Sequence, residues 1–312
     1  MMNNDTVHIP VLLNEVIEGL KIKPLGIYLD LTLGRAGHSS RILSKLDKEG
    51  LLIGVDQDIT AIKESDERLS QIGSNYKLVK SNFSKVDEIL DSLGISKVDG
   101  VLMDLGVSSP QFDESSRGFS YRYDAPLDMR MDTSKSLTAK IVVNTYSEEK
   151  LRKIFYEYGE DKYSASIARN IVKARATAPI NTTFELVDII KRSKPAKELK
   201  KVGHPAKQIF QALRIEVNDE LNVLKEALNK ILPRLNAQGR LAVITFHSLE
   251  DKIVKNTFKE YAVVEGNRNN FPEKTIEKDY NLITRKGIRP SEAELAKNPR
   301  SASATLRIIE RK

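Results

Sequence analysis

The sequence predicts an α/β fold whose sheet binds a ligand beyond the carboxyl ends of its strands. Short apolar runs at 27–31, 51–55 and 98–103 are each followed closely by a glycine-rich turn or an aspartate. Runs of this length and composition are typical of buried strands. Because open α/β sheets bind ligands at the carboxyl ends of their strands, the sequence predicts a nucleotide-type cofactor pocket at that edge.

The turn after the first run carries the most specific part of this pattern. Gly34 and Gly37 allow a sharp turn and a close approach of the backbone to a ligand. A helix beginning near Ala36 would direct its free amide groups toward that ligand. Asp56 ends the second run 22 residues beyond Gly34, close to the roughly 20-residue offset of an acid that binds ribose hydroxyls.

This glycine spacing does not identify the cofactor. Ala36 stands where the middle glycine of many such loops falls, so the G-x-G-x-x-G order is absent. The residues of the loop leave three alternatives open: a dinucleotide oxidoreductase, an S-adenosylmethionine enzyme and a simple tight turn.

The order of elements predicts a sheet domain interrupted by a helical insertion. Strand-like runs alternate with helix-length segments up to Pro110, as in βαβ units. Helical segments follow at 148–158, 164–174 and 183–192, and a helix at 216–235 precedes the return of the alternation. We expect strands at 27–31, 51–55, 76–79, 98–103, 241–246, 280–284 and 305–309, with a further helix at 249–261. The predicted domains are 1–111 with 216–312 for the sheet and 112–215 for the insertion. We expect residues 267–278 to be the least ordered segment.

Composition narrows the classes of protein. A length of 312 residues favours two domains. The sequence has no apolar run long enough to span a membrane and no secretory signal pattern, so we expect a cytoplasmic protein without a membrane partner. The absence of cysteine excludes disulfides, thiolate metal sites and a cysteine nucleophile. The four histidines (His8, His38, His204 and His247) lack ligand spacing, and no metal site is predicted.

The net charge of +7 is concentrated in the middle of the chain. Residues 112–215 hold 20 Lys and Arg against 13 Asp and Glu, whereas the remaining residues hold 30 of each. This asymmetry predicts that the insertion binds a polyanion; a solvated helical surface is the alternative. The candidate RNA-binding residues are Arg117, Arg122, Arg130, Lys197, Lys200 and Lys201. The three arginines alternate with Phe119, Tyr121 and Tyr123, a pattern that suits phosphate contact and base stacking, although these aromatics could instead be buried between the domains.

Eight ordered motifs extend over most of the chain. They are HIPVLLNEV from His8, TLGRAGHS from Thr32, DLGVSSPQ from Asp104, RGFSY from Arg117, PLDMRMD from Pro126, HPAK from His204, FQALRIEVNDEL from Phe210 and TFHSLED from Thr245. Through these motifs the sequence resembles the MraW or RsmH family, the bacterial 16S ribosomal RNA cytosine-N4 methyltransferases.

The resemblance implies a fold, a cofactor and a substrate. It implies a class I S-adenosylmethionine-dependent methyltransferase (Rossmann-like) sheet with an inserted all-helical domain that recognises RNA. The implied substrate is N4 of a cytidine in the decoding (P-site) region of 16S rRNA, within the small ribosomal subunit. Whether the protein is a monomer or a homodimer stays open. The implied contacts of S-adenosyl-L-methionine are Ala36, Gly37, His38, Asp56, Phe83, Asp104 and Gln111.

Two positions depart from the family pattern. Many members have glycine where this chain has Ala36, a change that we expect to be tolerated if φ is negative at that position. Ala302 stands where members commonly carry arginine.

The chemistry of an exocyclic amine points to the loop after the fourth strand. Cytosine N4 is a poor nucleophile until acceptors hold its hydrogens and help to remove a proton. The loop resembles those of amino-methylating enzymes and offers the Asp104 carboxylate, the Ser108 and Ser109 hydroxyls, and carbonyls fixed by Pro110. We expect direct methyl transfer without a covalent enzyme intermediate.

Several alternatives accompany these roles. Asp104 could cap a turn, His38 could contact the cofactor only through its backbone, Phe83 could belong to the core, and His247 could be structural. For the whole chain, the competing hypotheses are a nicotinamide-dependent dehydrogenase and a non-catalytic ribosome-assembly protein that binds RNA.

Overall fold

A computed structural model describes residues 9–106, 115–263 and 278–312. The chain divides into two compact units, Met1–Gly106 with Leu221–Lys312 and Val107–Glu220. The first unit carries the sheet, and the second is built mainly from helices. Within the described ranges, every helix is too short or too polar to cross a bilayer.

The strands and helices follow one another in a largely alternating order within the first unit. The strands are β1 (Ile27–Asp30), β2 (Leu51–Asp56), β3 (Tyr76–Lys80), β4 (Val98–Asp104), β5 (Leu235–Thr245), β6 (Tyr280–Leu282) and β7 (Thr305–Arg311). Its helices are α1 (Leu13–Leu20), α2 (Gly37–Leu43), α3 (Ile59–Leu69), α4 (Val86–Ser92), α11 (Glu220–Ile231), α12 (Ser248–Ala262) and α13 (Glu292–Lys297). The helices of the second unit are α5 (Ala139–Thr145), α6 (Glu148–Glu157), α7 (Ser164–Arg175), α8 (Thr183–Arg192), α9 (Ala196–Leu199) and α10 (Lys207–Asn218).

The seven strands form one sheet in the order β3-β2-β1-β4-β5-β7-β6. Strands β1 to β5 are parallel, and β7 runs antiparallel to both β5 and β6. The order reverses at β1, which pairs with β2 on one side and β4 on the other, and such a switch point is where α/β sheets bind ligands. Asp30 at the end of β1 lies opposite Gly54 in β2 and Leu102 in β4. The predicted α/β class is therefore confirmed, with the carboxyl ends of the central strands at one edge.

Alternation along the strands separates two hydrophobic layers. Leu29 and Met103 belong to the layer that includes Val254 and Phe258 of α12. Residues next to these along the same strands, such as Tyr28, belong to the opposite layer, which packs against α1 and α2. Because successive strand residues point to opposite faces, burial on both faces explains why the strands are nearly continuous apolar runs.

Two predicted boundaries were wrong. The expected helix 216–235 is two helices, because Asp219 adopts a left-handed conformation (φ 54°) that ends α10 and lets α11 begin at Glu220. The expected strand 241–246 begins earlier, at Leu235, which pairs with Val98 of β4. Most of the segment 267–278, which was predicted to be the least ordered, lies outside the described residues.

The second unit has its own hydrophobic core and buried polar links. Phe155 and Leu213 are among the buried residues that α5 to α8 and α10 contribute to this core. Lys194, which follows α8, is buried in an ion pair with Asp161, and its ammonium group also donates to the Pro205 carbonyl oxygen at 2.7 Å. These contacts connect the segment after α8 with the segment that precedes α10.

Candidate cofactor and catalytic site at the strand ends

The turn between β1 and α2 contains two residues in the left-handed region. Gly34 has φ 51°, and its amide donates to Asp56 Oδ2 at 2.9 Å. Ala36 has φ 55° and is fully buried, so the negative φ on which its tolerance was made to depend is not observed. The turn places Ala36 before the first residue of α2, where its left-handed backbone costs an alanine about 1–2 kcal/mol.

Gly37 and His38 are held by the segment that precedes α1. A Cβ atom on Gly37 would lie 2.5 Å from Pro10 Cγ, so close packing requires glycine here. His38 Nε2 donates to the Val11 carbonyl oxygen at 2.9 Å, and the ring is buried. Its Nδ1 faces Asp104 Oδ2 at 3.7 Å, which is longer than a hydrogen bond.

Asp56 anchors the glycine turn from the end of β2. Its Oδ2 accepts from the Gly34 amide and its Oδ1 from the Asp58 amide, both at 2.9 Å. Burial raises the pKa of Asp56, and the two hydrogen bonds oppose that shift. Since each carboxylate oxygen can accept more than one hydrogen bond, the group can fix the turn and still accept from a ribose hydroxyl.

Asp30 is a site residue that the sequence reasoning missed. It is buried, and it accepts from Ser39 Oγ at 2.7 Å and from the Thr32 amide at 3.1 Å. Burial raises the pKa of this carboxyl to about 6 against those hydrogen bonds. The sequence did contain a signal for Asp30, which is an acid within an otherwise apolar run. Because an Asp is rarely buried without partners, such a position indicates a hydrogen-bonded carboxylate.

Asp104 lies at the end of β4, next to β1. Its amide donates to Thr32 Oγ1 at 2.6 Å, and 25% of its side-chain surface is exposed. Burial raises the pKa of Asp104 to about 8, and the nearby carboxylates of Asp30 and Glu250 add to the shift. A carboxyl with this pKa can exchange a proton near neutral pH. The other predicted members of its loop (Ser108, Ser109, Pro110 and Gln111) lie outside the described residues.

His247 and Glu250 follow β5 at the same edge. The His247 side chain caps α12, with Nδ1 accepting from the Glu250 amide at 3.4 Å. Glu250 is buried, and its Oε2 accepts from the Phe246 amide at 2.8 Å. His247 therefore has a structural role. Glu250 is a second acid that the sequence reasoning missed, although it belongs to the TFHSLED motif.

Phe83 follows the end of β3 in the short 3-10 helix Phe83–Lys85. Its ring is half-buried and packs partly against the core. Asn82 fixes the turn, because its Oδ1 accepts from the Ser84 amide at 2.9 Å. A ring that is only partly covered can pack on a ligand, and the predicted contact with the cofactor stays a prediction.

Arg130 is engaged in its own loop, and its contact with RNA stays a prediction. Its guanidinium forms a bidentate pair with Asp128, with both distances 2.8 Å. It also donates to the carbonyl oxygens of Thr133 at 2.8 Å and Lys135 at 2.6 Å. These bonds occupy the planar donor group within its own loop, so Arg130 orders the loop.

Arg117 is also engaged within its unit. It donates to the Arg130 carbonyl oxygen at 2.8 Å and lies 5.9 Å from the centre of the Phe119 ring. Phe119 is buried in the core of the second unit. The Arg117 guanidinium therefore has a structural role in addition to any contact with RNA.

The other predicted RNA-binding residues are exposed. They are Arg122, Lys197, Lys200 and Lys201. Lys201 pairs with Glu198 at 3.0 Å, and Lys162 pairs with the same carboxylate. Exposure agrees with an electrostatic role but is also typical of a solvated helical surface.

The sheet order, with β7 antiparallel at the far side of β5, and the acids that end β1, β2 and β4 define a class I methyltransferase. The family model of the MraW methylase family matches residues 5–312, and the chain belongs to this family.

Curated relatives match nearly the whole chain. The ribosomal RNA small subunit methyltransferase H of Mesoplasma florum is 54% identical over 98% of this chain and 99% of its own length. The proteins of that name from Streptococcus mutans and Clostridioides difficile are each 52% identical, covering 99% and 97% of this chain and 99% and 98% of their own lengths. These findings confirm the predicted family and enzyme class, with S-adenosyl-L-methionine as the cofactor of that class.

Proposed function

We propose that this chain transfers the methyl group of S-adenosylmethionine to N4 of a cytidine in the decoding (P-site) region of 16S rRNA. The observation that carries the proposal is Asp104 Oδ1, which is buried and has no hydrogen-bond partner within the described ranges. A buried acceptor without a partner is costly unless a ligand uses it. An amino group whose hydrogens need an acceptor is such a ligand, and the names of the relatives support an RNA substrate.

The residues at the strand ends fit the cofactor. We assign the ribose hydroxyls to Asp56, the adenine to Phe83, and further contacts to Ala36, Gly37, His38 and Gln111. When bound, S-adenosylmethionine supplies a methyl group on a positively charged sulfur, which keeps the electron pair of the broken carbon–sulfur bond. Burial raises the pKa of Asp30 to about 6 and that of Asp104 to about 8, and a cation bound beside these acids favours their ionised forms.

Asp104 accounts for the proton. The N4 lone pair forms the new nitrogen–carbon bond, and the Asp104 carboxylate accepts the proton that N4 loses, so charge and atoms balance. Asp104 must be ionised to do this. Its pKa is about 8 in the ligand-free protein, and a positive charge beside it favours the carboxylate. Ser108, Ser109 and carbonyls fixed by Pro110 complete the proposed set of acceptors.

The proposal also specifies where the protein acts. The RNA-recognition role belongs to the second unit, whose basic excess suits phosphate binding. We assign the reaction to the cytoplasm because the substrate is ribosomal RNA, and we propose the small subunit as the form in which that RNA is bound.

The test is methyl transfer to small subunits that lack the modification. With labelled S-adenosylmethionine we expect one N4-methylated cytidine in the decoding region, identified by mass spectrometry of the nuclease fragments. Subunits that already carry the modification are the matched control and should take up no label. Label on another base, or no transfer by protein that binds the cofactor, would contradict the proposal.

A further inference from the structure

The second unit contains a cavity of about 340 Å³ that combines aromatic and basic side chains. Tyr121, Phe184 and His204 contribute three aromatic rings to its lining, and Arg122 and Lys191 contribute two cationic groups. Its size lies within the range of small-ligand sites. All of these residues belong to one unit, so the cavity is a property of that unit alone.

The rings form a surface suited to a flat partner. Tyr121 and His204 stack with 4.2 Å between their ring centres and an angle of 11° between their planes. Phe210 supports Tyr121 from the core, edge to face at 5.7 Å. Phe184 at the start of α8 keeps 44% of its exposure, which is unusual for a phenylalanine that only fills a core.

The electrostatics favour an anion beside these rings. Burial lowers the pKa of His204, and the nearby positive charges of Lys191 and Arg122 lower it further. The neutral imidazole keeps an uncharged face for stacking. Asp188 is the acidic member of the lining, so the basic groups outnumber it. Six of the eleven residues in 191–201 are Lys or Arg, and this segment leads directly to His204.

We propose that this cavity binds one unpaired base of the RNA substrate, stacked on the rings of Tyr121, His204 and Phe184, while Arg122 and Lys191 contact the adjoining phosphates. The inference rests on the proposed RNA substrate and adds a site to it. Aromatic faces beside cations are the means by which proteins bind single-stranded RNA. We assign the base held here an anchoring role and not that of the methylated base, because the proposed proton acceptor, Asp104, does not line this cavity.

The first test removes the exposed ring. In the full chain, Phe184→Ala should weaken binding of oligouridylate at least about fivefold, the lower limit for a lost base–aromatic stack, and Phe184→Trp should restore it. Fluorescence anisotropy measures both. Tyr156 of α6 is the matched control, because it is 68% exposed and does not line the cavity; Tyr156→Ala should bind like the wild type.

The second test removes the base instead of the ring. An abasic RNA of the same length keeps the phosphates, so Phe184→Ala and the wild type should bind it equally. Equal loss on both RNAs would show that the substitution damages the unit and would overturn the proposal. Wild-type affinity of Phe184→Ala for oligouridylate would also overturn it.

A kinetic measurement separates this site from the proposed reaction. Phe184→Ala should raise the subunit concentration at half-maximal methylation and leave the maximal rate unchanged. If the wild type shows base-dependent binding through Phe184 but transfers no methyl group, the proposed function fails and the site stands. If the wild type methylates and Phe184→Ala has an unchanged KM, the site fails alone.

Discussion

Thr32 accepts a hydrogen bond from the Asp104 amide at 2.6 Å, which joins the end of β1 to the end of β4. The same hydroxyl lies 3.4 Å from Asp30 Oδ1, to which it donates. One threonine therefore links the two acids, and the position of the Asp104 backbone depends on the turn after β1. The proposed proton acceptor is held by the turn that forms part of the proposed cofactor pocket.

Asp104→Asn should lower the rate of methyl transfer by about 10²–10⁴, because the amide cannot accept the N4 proton. Single-turnover methylation at saturating cofactor and RNA isolates this step from binding. Asp47→Asn, at an exposed position, is the control and should retain the wild-type rate. A near wild-type rate for Asp104→Asn would leave Ser108, Ser109 or a loop carbonyl as the acceptor.

The same substitution should stabilise the ligand-free protein at alkaline pH. The pKa of Asp104 rises from 3.8 to about 8 on folding, so stability falls as pH rises between these values, while the unfolded chain is ionised and the folded one resists ionisation. Asparagine mimics the neutral form. The midpoint temperature of Asp104→Asn should exceed that of the wild type by several degrees at pH 8, at roughly 2–4 °C per kcal/mol, and by little at pH 4. A difference that does not change with pH would contradict the raised pKa.

Asp56→Asn should weaken cofactor binding by about 1.5 kcal/mol or more, because it loses charge-assisted hydrogen bonds to the ribose. Asparagine keeps one acceptor oxygen for the Gly34 amide and disturbs the turn less than alanine would. Isothermal titration calorimetry gives the affinity. Asp58→Asn is the neighbouring control, since an asparagine still caps α3 through the Thr60 amide. Equal affinities for the wild type and Asp56→Asn would remove Asp56 from the ribose contact.

Ala36→Gly should raise the free energy of unfolding by about 0.5–1 kcal/mol, because glycine adopts a positive φ without the steric cost that alanine bears. Urea denaturation measures the difference. Ala227→Gly is the control, because Ala227 is equally buried but lies inside α11, where glycine costs about 1 kcal/mol. Loss of stability in both variants would mean that the buried methyl group of Ala36 contributes more than its backbone costs.

Reversing Lys197, Lys200 and Lys201 to Glu should weaken RNA binding and flatten its salt dependence, by a slope of roughly 0.7 for each lost contact with a single strand. The three side chains are exposed, so the fold should tolerate the change. Anisotropy titrations over a range of salt concentrations give the slope. The control is the replacement of Lys45, Lys48 and Lys63 of the first unit with Glu, which changes the net charge by the same amount. If both triples change the slope equally, the effect is one of net charge and not of a localised surface.

Local patterns predicted the sheet and two of the acids at its strand ends, because strand ends can be identified from apolar runs and their flanking residues. Asp56 and Asp104 were found in this way. Asp30 and Glu250 were missed because their burial depends on partners brought together by folding, such as Ser39 for Asp30. The left-handed φ of Ala36 is likewise set by the path of the turn.

Side-chain partners in the second unit were missed for the same reason. The pairing of Arg130 with Asp128 depends on how their loop curves, which the sequence did not indicate. The break at Asp219 is a single residue in a long helical pattern, and an aspartate can continue a helix or end it. Periodicity predicts that elements exist more reliably than it predicts side-chain partners.

The position of β7 inside the sheet imposes an order on biosynthesis. β6 is made before β7, yet within the described residues β7 is its partner strand and also lies between it and β5. As the chain emerges during translation, β5 and β6 therefore present unpaired edges until residues 305–311 have been made, and such edges favour association with other chains. The nascent chain is therefore most exposed to misassembly when it is almost complete, just before β7 is added.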